Sequence, residues 1–298
     1  MDNLLVTIGL CVKNCEETVG PTLDSIMSQD YSHNLIEIIV VDDGCDDNTI
    51  SIIVGKLSKT GINFRILKTG GSGLGVARQK VVDHTGGRYI VWIDGDIIIP
   101  PDHISKQVEF MELHPRVGKA RANRGWFETK TDNFLANSEL LAYIDEVKKG
   151  KQPKIAGIGG SICRVNAIKD AGGFDKHIKG AGEDVDLAIR ILARGWDISV
   201  SDTIFYHKHK TSWKDSWNRY LWYGYGGHYV RHKHQMKSIG LTHLPPIALL
   251  ISIKKAVATF KHTGKKQSFL LPLPYLFGSI AWWIGFIKAH FEKYLPKT

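Results

Sequence analysis

Along the first hundred residues, continuous apolar runs alternate with stretches in which apolar positions recur every three or four residues. LLVTIGLCV (residues 4–12), LIEIIVV (35–41), INFRILK (62–68) and YIVWI (89–93) read as strands, while residues 16–29, 48–59 and 74–84 carry the helical period. Pro21 lies inside the first helical stretch and has no backbone donor, so a kink or a late helix start is expected there. Strands that are apolar on both faces and alternate with helices imply an α/β class, a mostly parallel twisted sheet covered by helices. No internal repeat or low-complexity tract is visible.

Beyond residue 210 the pattern changes, which places a boundary between residues 1–210 and a C-terminal region of residues 211–298. FLLPLPYLFGSIAWWIGFI (269–287) holds 19 residues without a formal charge, and LTHLPPIALLISI (241–253) is a second, shorter apolar run. Pro272 and Pro274 are expected to interrupt the longer run and leave residues 275–287 as its clean helix, about 20 Å long. Interfacial or re-entrant insertion, a single span and a buried core helix are all open at this point. In SWKDSWNRYLWYGYGGHYVRHKH (212–234) aromatic and basic residues are interleaved. That mixture suits a membrane interface, stacking on sugar rings, or packing of a helix on a neighbouring domain.

Charge sharpens the division. The 298 residues carry a net charge of +9, but residues 1–198 hold 24 Lys and Arg against 27 Asp and Glu, and residues 199–298 hold 15 against 3. A basic region suits nucleic acid or an anionic membrane; its apolar runs favour the membrane, and no nucleic-acid partner is expected. The N-terminal MDNLLVTIGLCV lacks the basic start and long apolar stretch of a signal peptide, and Cys11, Cys15, Cys45 and Cys163 form no C-x-x-C pair. Reduced thiols and the cytoplasmic face of a membrane are the corresponding expectations.

Candidate chemistry falls where the predicted strands end, the place at which sheets of this kind bind ligands. In VVDDGCDDNT, Asp42 and Asp43 close a strand, Asp46, Asp47 and Asn48 suit a helix cap, and Asp43 is placed to accept hydrogen bonds from a nucleobase or ribose. GGSGLGVARQK adds a glycine loop suited to backbone contact with a nucleotide, with Arg78 nearby as a cation. In YIVWIDGDIIIP an extended chain would point Asp94 and Asp96 the same way, about 6 to 7 Å apart, with Gly95 between them leaving room for close approach to the main chain. A divalent cation would relieve their repulsion; a plain turn is the competing reading. Glu183 and Asp184 follow a flexible KGAG beside a glycine-rich GGFD, and acids there also suit the first turn of a helix.

Taken in order, VTIGLCVKNCEETV, IIVVDDGCDDNT, GVARQKVVDHTGGRYIVWIDGD, GGSICRVNAIKDAGGFD and GEDVDLAIRILARGW resemble the family 2 glycosyltransferases of the GT-A fold, over residues 4–209. The resemblance implies an inverting transfer of sugar from a nucleotide-diphospho-sugar donor. It implies that Asp43 contacts the nucleotide and that Asp94 and Asp96 form the D-x-D pair, Asp96 nearer the metal. It also implies that Asp184 is the base beside Glu183. Cys11 stands where many members have Pro, and no Q-x-x-R-W motif follows, which argues against a processive polymer synthase.

Breaking the anomeric bond develops charge on the diphosphate, which bound Mn²⁺ or Mg²⁺ neutralises. Of the alternating His207 and His209 in FYHKHK, the resemblance favours His207 as a further ligand, which would tilt preference toward Mn²⁺; exposed basic histidines are the alternative. The expected acceptor is a glycan or lipid-linked hydroxyl presented at a membrane surface. Three other readings are weighed. A polyprenyl-phosphate sugar synthase has an anionic nucleophile and needs no base, a sugar nucleotidyltransferase leaves the apolar tail unexplained, and an inert scaffold would bind donor without transfer.

Overall fold

The computed structural model describes residues 5–125, 157–207, 212–236 and 240–296. They fall into two units, residues 5–125, 157–179 and 183–207 in the first and residues 180–182, 212–236 and 240–296 in the second.

The first unit is built on β1 (Val6–Val12), β2 (Ile36–Asp42), β3 (Asn63–Lys68), β4 (Tyr89–Trp92), β5 (Ile97–Ile98), β6 (Val117–Gly125), β7 (Ile162–Arg164) and β8 (Asp197–His207). Its helices are α1 (Glu16–Met27), α2 (Thr49–Leu57), α3 (Leu74–His84), α4 (His103–Leu113), α5 (Val165–Asp170) and α6 (Glu183–Ala193). The strands form one sheet in the order β3-β2-β1-β4-β7-β6-β8-β5. The predicted parallel arrangement holds for β3, β2, β1 and β4, whereas β7 runs antiparallel to β4 and β6, and β5 antiparallel to β8, so the sheet as a whole is mixed.

Both faces of the central strands are buried, as their unbroken apolar runs require. Val6, Ile8, Leu10 and Val12 of β1, with Ile36, Ile38 and Val40 of β2, pack under α1, α2 and α4. The alternate positions Cys11, Ile39, Val41, Ile90 and Trp92 face α3, α5 and α6. The late start expected at Pro21 does not occur: α1 begins at Glu16 and runs through the proline. The residue before Pro21 is Gly20, and without a Cβ it escapes most of the clash that drives a pre-proline residue out of helical geometry.

His103 ties α4 to the far side of the sheet. Its Nδ1 lies 2.9 Å from the Ile204 carbonyl and its Nε2 3.1 Å from that of Gly160, to which Gln107 Nε2 also donates. Burial pushes this imidazole down to about 4.

In the second unit α7 (Trp213–Lys233) packs on α9 (Pro272–Phe291), and α8 (Pro245–Thr263), which lies between them in the chain, also contacts α9. The expectation that Pro272 and Pro274 shorten the apolar helix is overturned. They occupy its first turn, where no intrahelical acceptor awaits their missing N–H, so they start a helix of 20 residues. Glycines let the α7 and α9 backbones meet. A Cβ on Gly224 would lie 1.8 Å from the Trp282 carbonyl oxygen, and one on Gly285 would lie 2.0 Å from that of Leu221.

Candidate functional site

The carboxyl ends of β2 and β4 and the start of α6 carry the candidate acids. Asp42 folds back on the turn it begins: its Oδ1 accepts the N–H groups of Gly44 at 3.0 Å and Cys45 at 2.8 Å. Burial would raise this carboxyl, but those backbone donors outweigh burial and hold it below its ordinary range. Asp43 is buried and points at the glycine loop, accepting from the Thr69 hydroxyl at 2.7 Å and from Gly73 N–H at 3.1 Å to Oδ2. Gly70, Gly71 and Gly73 all have positive φ, a conformation that makes this loop a glycine sequence by necessity. Capping of α1 and α2 is reciprocal. Asp47 accepts from Thr49 and Glu16 N–H, and Glu16 accepts from Asn48.

The D-x-D segment is not extended. Ile97 N–H donates to the Asp94 carbonyl at 3.0 Å, closing a turn between β4 and β5. The extended-strand spacing of the two carboxylates therefore does not apply. The space beside Gly95 belongs to Cys15, whose Sγ would lie 2.5 Å from a Cβ built there. What approaches this glycine is the protein's own side chain.

The two aspartates have different partners. Arg78, buried near the start of α3, donates through Nη2 to Asp94 Oδ1 at 3.2 Å and through Nη1 to Glu183 Oε1. Glu183 Oε2 is also buried and has no hydrogen-bond partner among the described residues. Burial pushes the Glu183 carboxyl up against the opposing pull of Arg78, and neighbouring Asp184 adds to the rise. Asp184, the next residue of α6, is only half-buried; its Oδ2 accepts Gly157 N–H at 2.8 Å and its Oδ1 the Val185 N–H at 2.8 Å. Each oxygen keeps a second lone pair. Asp186 pairs with Arg190 one turn further along α6, at 2.6 Å.

Asp96 faces β8. The β5–β8 register sets Ile97 opposite His207, which brings His207 Nε2 to 3.3 Å from Asp96 Oδ2. Two adjacent ligand atoms on an octahedral cation with bonds near 2.1 Å stand about 3 Å apart, so this pair is spaced as neighbouring ligands. No cluster of three or more His, Cys, Asp or Glu side chains suited to a metal is found among the described residues. His209 lies outside the described residues.

One charged residue near the acids escaped sequence reasoning. Lys119 of β6 is 1% exposed and pairs in register with Cys163. Burial pushes its ammonium down, and the Asp184 carboxylate pulls it back up most strongly. The signal was its place in VGKARANRG, a strand in which small residues alternate with Lys119 and Arg121.

Glycosyl transferase family 2 matches residues 7–170, more than half of the chain, and glycosyl transferase family group 2 matches residues 89–289. EpsE of Bacillus subtilis (strain 168) is 29% identical over 201 residues, 64% of this chain and 68% of EpsE. The UDP-Glc:α-D-GlcNAc-diphosphoundecaprenol β-1,3-glucosyltransferase WfaP of Escherichia coli is 36% identical over 108 residues, 36% of this chain and 41% of WfaP. With the latter and several other curated relatives, the match spans about half of their length or less. Among solved structures, the mannosyltransferase PcManGT from Pyrobaculum calidifontis, in complex with GDP-Man and Mn²⁺, superposes with a TM-score of 0.65 at 17% identity over 97% of this chain and 88% of that one. S. aureus TarS residues 1–349 superpose with a TM-score of 0.54 at 14% identity, over 97% and 92% of the two chains. With its mixed sheet and carboxylates at the strand ends, the chain belongs to glycosyl transferase family 2 and is a glycosyltransferase of the GT-A fold.

Proposed function

We propose that this glycosyltransferase moves a sugar, with inversion, from a nucleotide-diphospho-sugar to a hydroxyl of a membrane-presented acceptor, in a reaction that depends on a divalent metal. The observation that carries this reading is the division of the acidic pair. Glu183 is committed to Arg78, while Asp184 is half-exposed and keeps acceptor capacity on both oxygens. Asp184 takes the proton of the attacking hydroxyl, and Glu183 and Arg78 hold the start of α6 and Asp94 in place. Asp43 shapes the glycine loop against the nucleotide and offers it a carboxylate oxygen. Asp96 and His207 hold the metal, which when bound offsets the charge developing on the departing diphosphate. Mn²⁺ is favoured over Mg²⁺ by the imidazole, and PcManGT was solved with Mn²⁺.

The acceptor reading rests on WfaP, whose acceptor is a diphosphoundecaprenol-linked sugar, and on the basic, apolar residues 211–298. Residues 1–210 are taken as the catalytic part and placed at the cytoplasmic face, in keeping with four free thiols. Calorimetry against a panel of UDP- and GDP-sugars with Mn²⁺, Mg²⁺ or chelator tests the reading. One donor is expected to bind at least tenfold more tightly with metal, and equal binding in chelator would overturn the metal dependence.

A further inference from the structure

The outward surface of the second unit is unlike that of the first. Of the twenty large apolar side chains exposed among the described residues, sixteen belong to residues 213–295 and only four to the first unit. On α9 they form one stripe: Leu273, Ile280, Ile284, Ile287 and Phe291, spaced by seven, four, three and four residues and exposed by 44% or more. Leu250, Ile253 and Val257 repeat the pattern on α8, and Phe269 and Leu270 stand exposed between the helices. A stripe of that period on a water-soluble surface would be costly to leave uncovered.

Length and composition alone would let residues 266–291 cross a bilayer, the mean hydropathy reaching 1.6 over 18 of them. Packing argues otherwise. The opposite stripe of α9, Gly278, Ala281, Trp282, Gly285 and Ala289, is buried, and its glycines press against Tyr220 and Leu221 of α7. A spanning α9 would draw α7 into the hydrocarbon with Lys214, Asp215, Arg219, Arg231 and Lys233, each of which is expensive there. Charge identifies what covers the exposed stripe. Residues 240–296 carry seven lysines and a single acid, Glu292, and Lys254 and Lys261 stand exposed on α8 itself. An apolar stripe flanked by lysines matches the surface of an anionic bilayer, with the side chains reaching about 5–10 Å into the boundary between headgroups and acyl chains.

We propose that the exposed stripe of α9, together with that of α8 and the turn at Phe269 and Leu270, seats in one leaflet of an anionic membrane, with α9 lying along the interface and not crossing it. This rests on the membrane-presented acceptor above and gives that acceptor a place: the chain is held at the leaflet where the acceptor's lipid is anchored.

The test uses the full chain with vesicles of phosphatidylcholine alone and of phosphatidylcholine with about one third phosphatidylglycerol. The parent is expected to sediment with the anionic vesicles at least tenfold more strongly than with the neutral ones, and Ile280→Glu/Ile284→Glu is expected to lose that binding. Single variants Gly264→Cys and Leu295→Cys, added to sealed vesicles and treated with an impermeant maleimide, are expected to label at both positions, as mapped by peptide mass. Protection of one position only would show crossing and overturn the proposal. So would equal sedimentation of the parent and the double variant, or equal binding to both lipids. A soluble parent dimer that the double variant dissolves, without vesicle binding, would show that a second copy covers the stripe and would also overturn it. Calorimetry on the same samples separates this from the catalytic reading. Donor binding without vesicle binding defeats only the membrane face; vesicle binding without any nucleotide-sugar affinity defeats only the transfer reaction.

Discussion

Arg78 and Glu183, 105 positions apart in the chain, form a buried ion pair in which the guanidinium also reaches Asp94. The start of α3, the D-x-D turn and the start of α6 are thereby fixed to one cation. Removing one partner of a buried pair leaves an uncompensated charge, at a cost of about 3–5 kcal/mol. Arg78→Met is therefore expected to lower the unfolding free energy by that much, measured by urea denaturation. Arg78→Met/Glu183→Gln should recover most of the loss, because neither partner is then charged. A double variant no more stable than Arg78→Met alone would show that the loss comes from packing and not from the stranded carboxylate.

Asp96 and His207 are set together by strand pairing and not by sequence proximity. If they hold the metal, Asp96→Asn and His207→Ala should each abolish the dependence of donor affinity on Mn²⁺ while leaving the unfolding free energy within about 0.5 kcal/mol of the parent, as for surface substitutions. Calorimetry with donor and Mn²⁺ reads the first, and unchanged metal dependence in both variants would place the cation elsewhere.

These two relationships mark where sequence reading stops. The central strands were legible because Val6–Val12 and Ile36–Asp42 are apolar on both faces, a pattern few other settings produce. The positions of Asp43 and Asp96 past strand ends were legible for the same reason, and that of Asp184 from the acids that open an apolar-periodic helix. The conformation of Asp94-Gly95-Asp96 was not, because a turn and an extended strand share that composition and only the Ile97 to Asp94 hydrogen bond decides between them. Pro272 and Pro274 misled, since a proline ends one helix and begins another with equal ease, and here both lie in the first turn of α9. Arg78 was visible as a cation, but its commitment to Glu183 depends on contacts across the fold.

His103 offers a pH test of the first unit. Its folded value of about 4 lies below the ordinary 6.5 because burial of the ring outweighs the opposing pull of the Ile204 and Gly160 carbonyls. Between those values the unfolded chain holds a proton that the native state does not, so stability rises with pH across the window. The contribution is complete above about pH 6.5 and is lost as pH falls toward 4, to a limit of about 3 kcal/mol. Urea midpoints from pH 4 to 7.5 should show this slope in the parent and its loss in His103→Gln. Equal slopes in both would mean that the ring is protonated in the native state.

Asp184 separates transfer to a hydroxyl from transfer to a phosphate. A neutral hydroxyl must give up its proton as the new bond forms, and a positioned carboxylate contributes about 10²- to 10⁴-fold to such a step. Asp184 has the geometry for that role, half-exposed at the start of α6, with a lone pair available on each oxygen. Asp184→Asn is nearly isosteric and keeps one of the two backbone contacts on its single oxygen, while its amide nitrogen can neither accept the other N–H nor take a proton. It is expected to bind donor and Mn²⁺ as the parent does and to lose transfer by about 10²-fold or more, equivalent to about 3 kcal/mol of barrier. Glu183→Gln should act differently, loosening the Arg78 pair and lowering stability with a smaller loss of turnover. Initial rates with saturating donor, set beside calorimetric affinities, check both. If Glu183→Gln loses transfer and Asp184→Asn does not, the base is Glu183. If neither loses it, the nucleophile arrives already ionised, and a phosphate acceptor, which needs no base, replaces the hydroxyl.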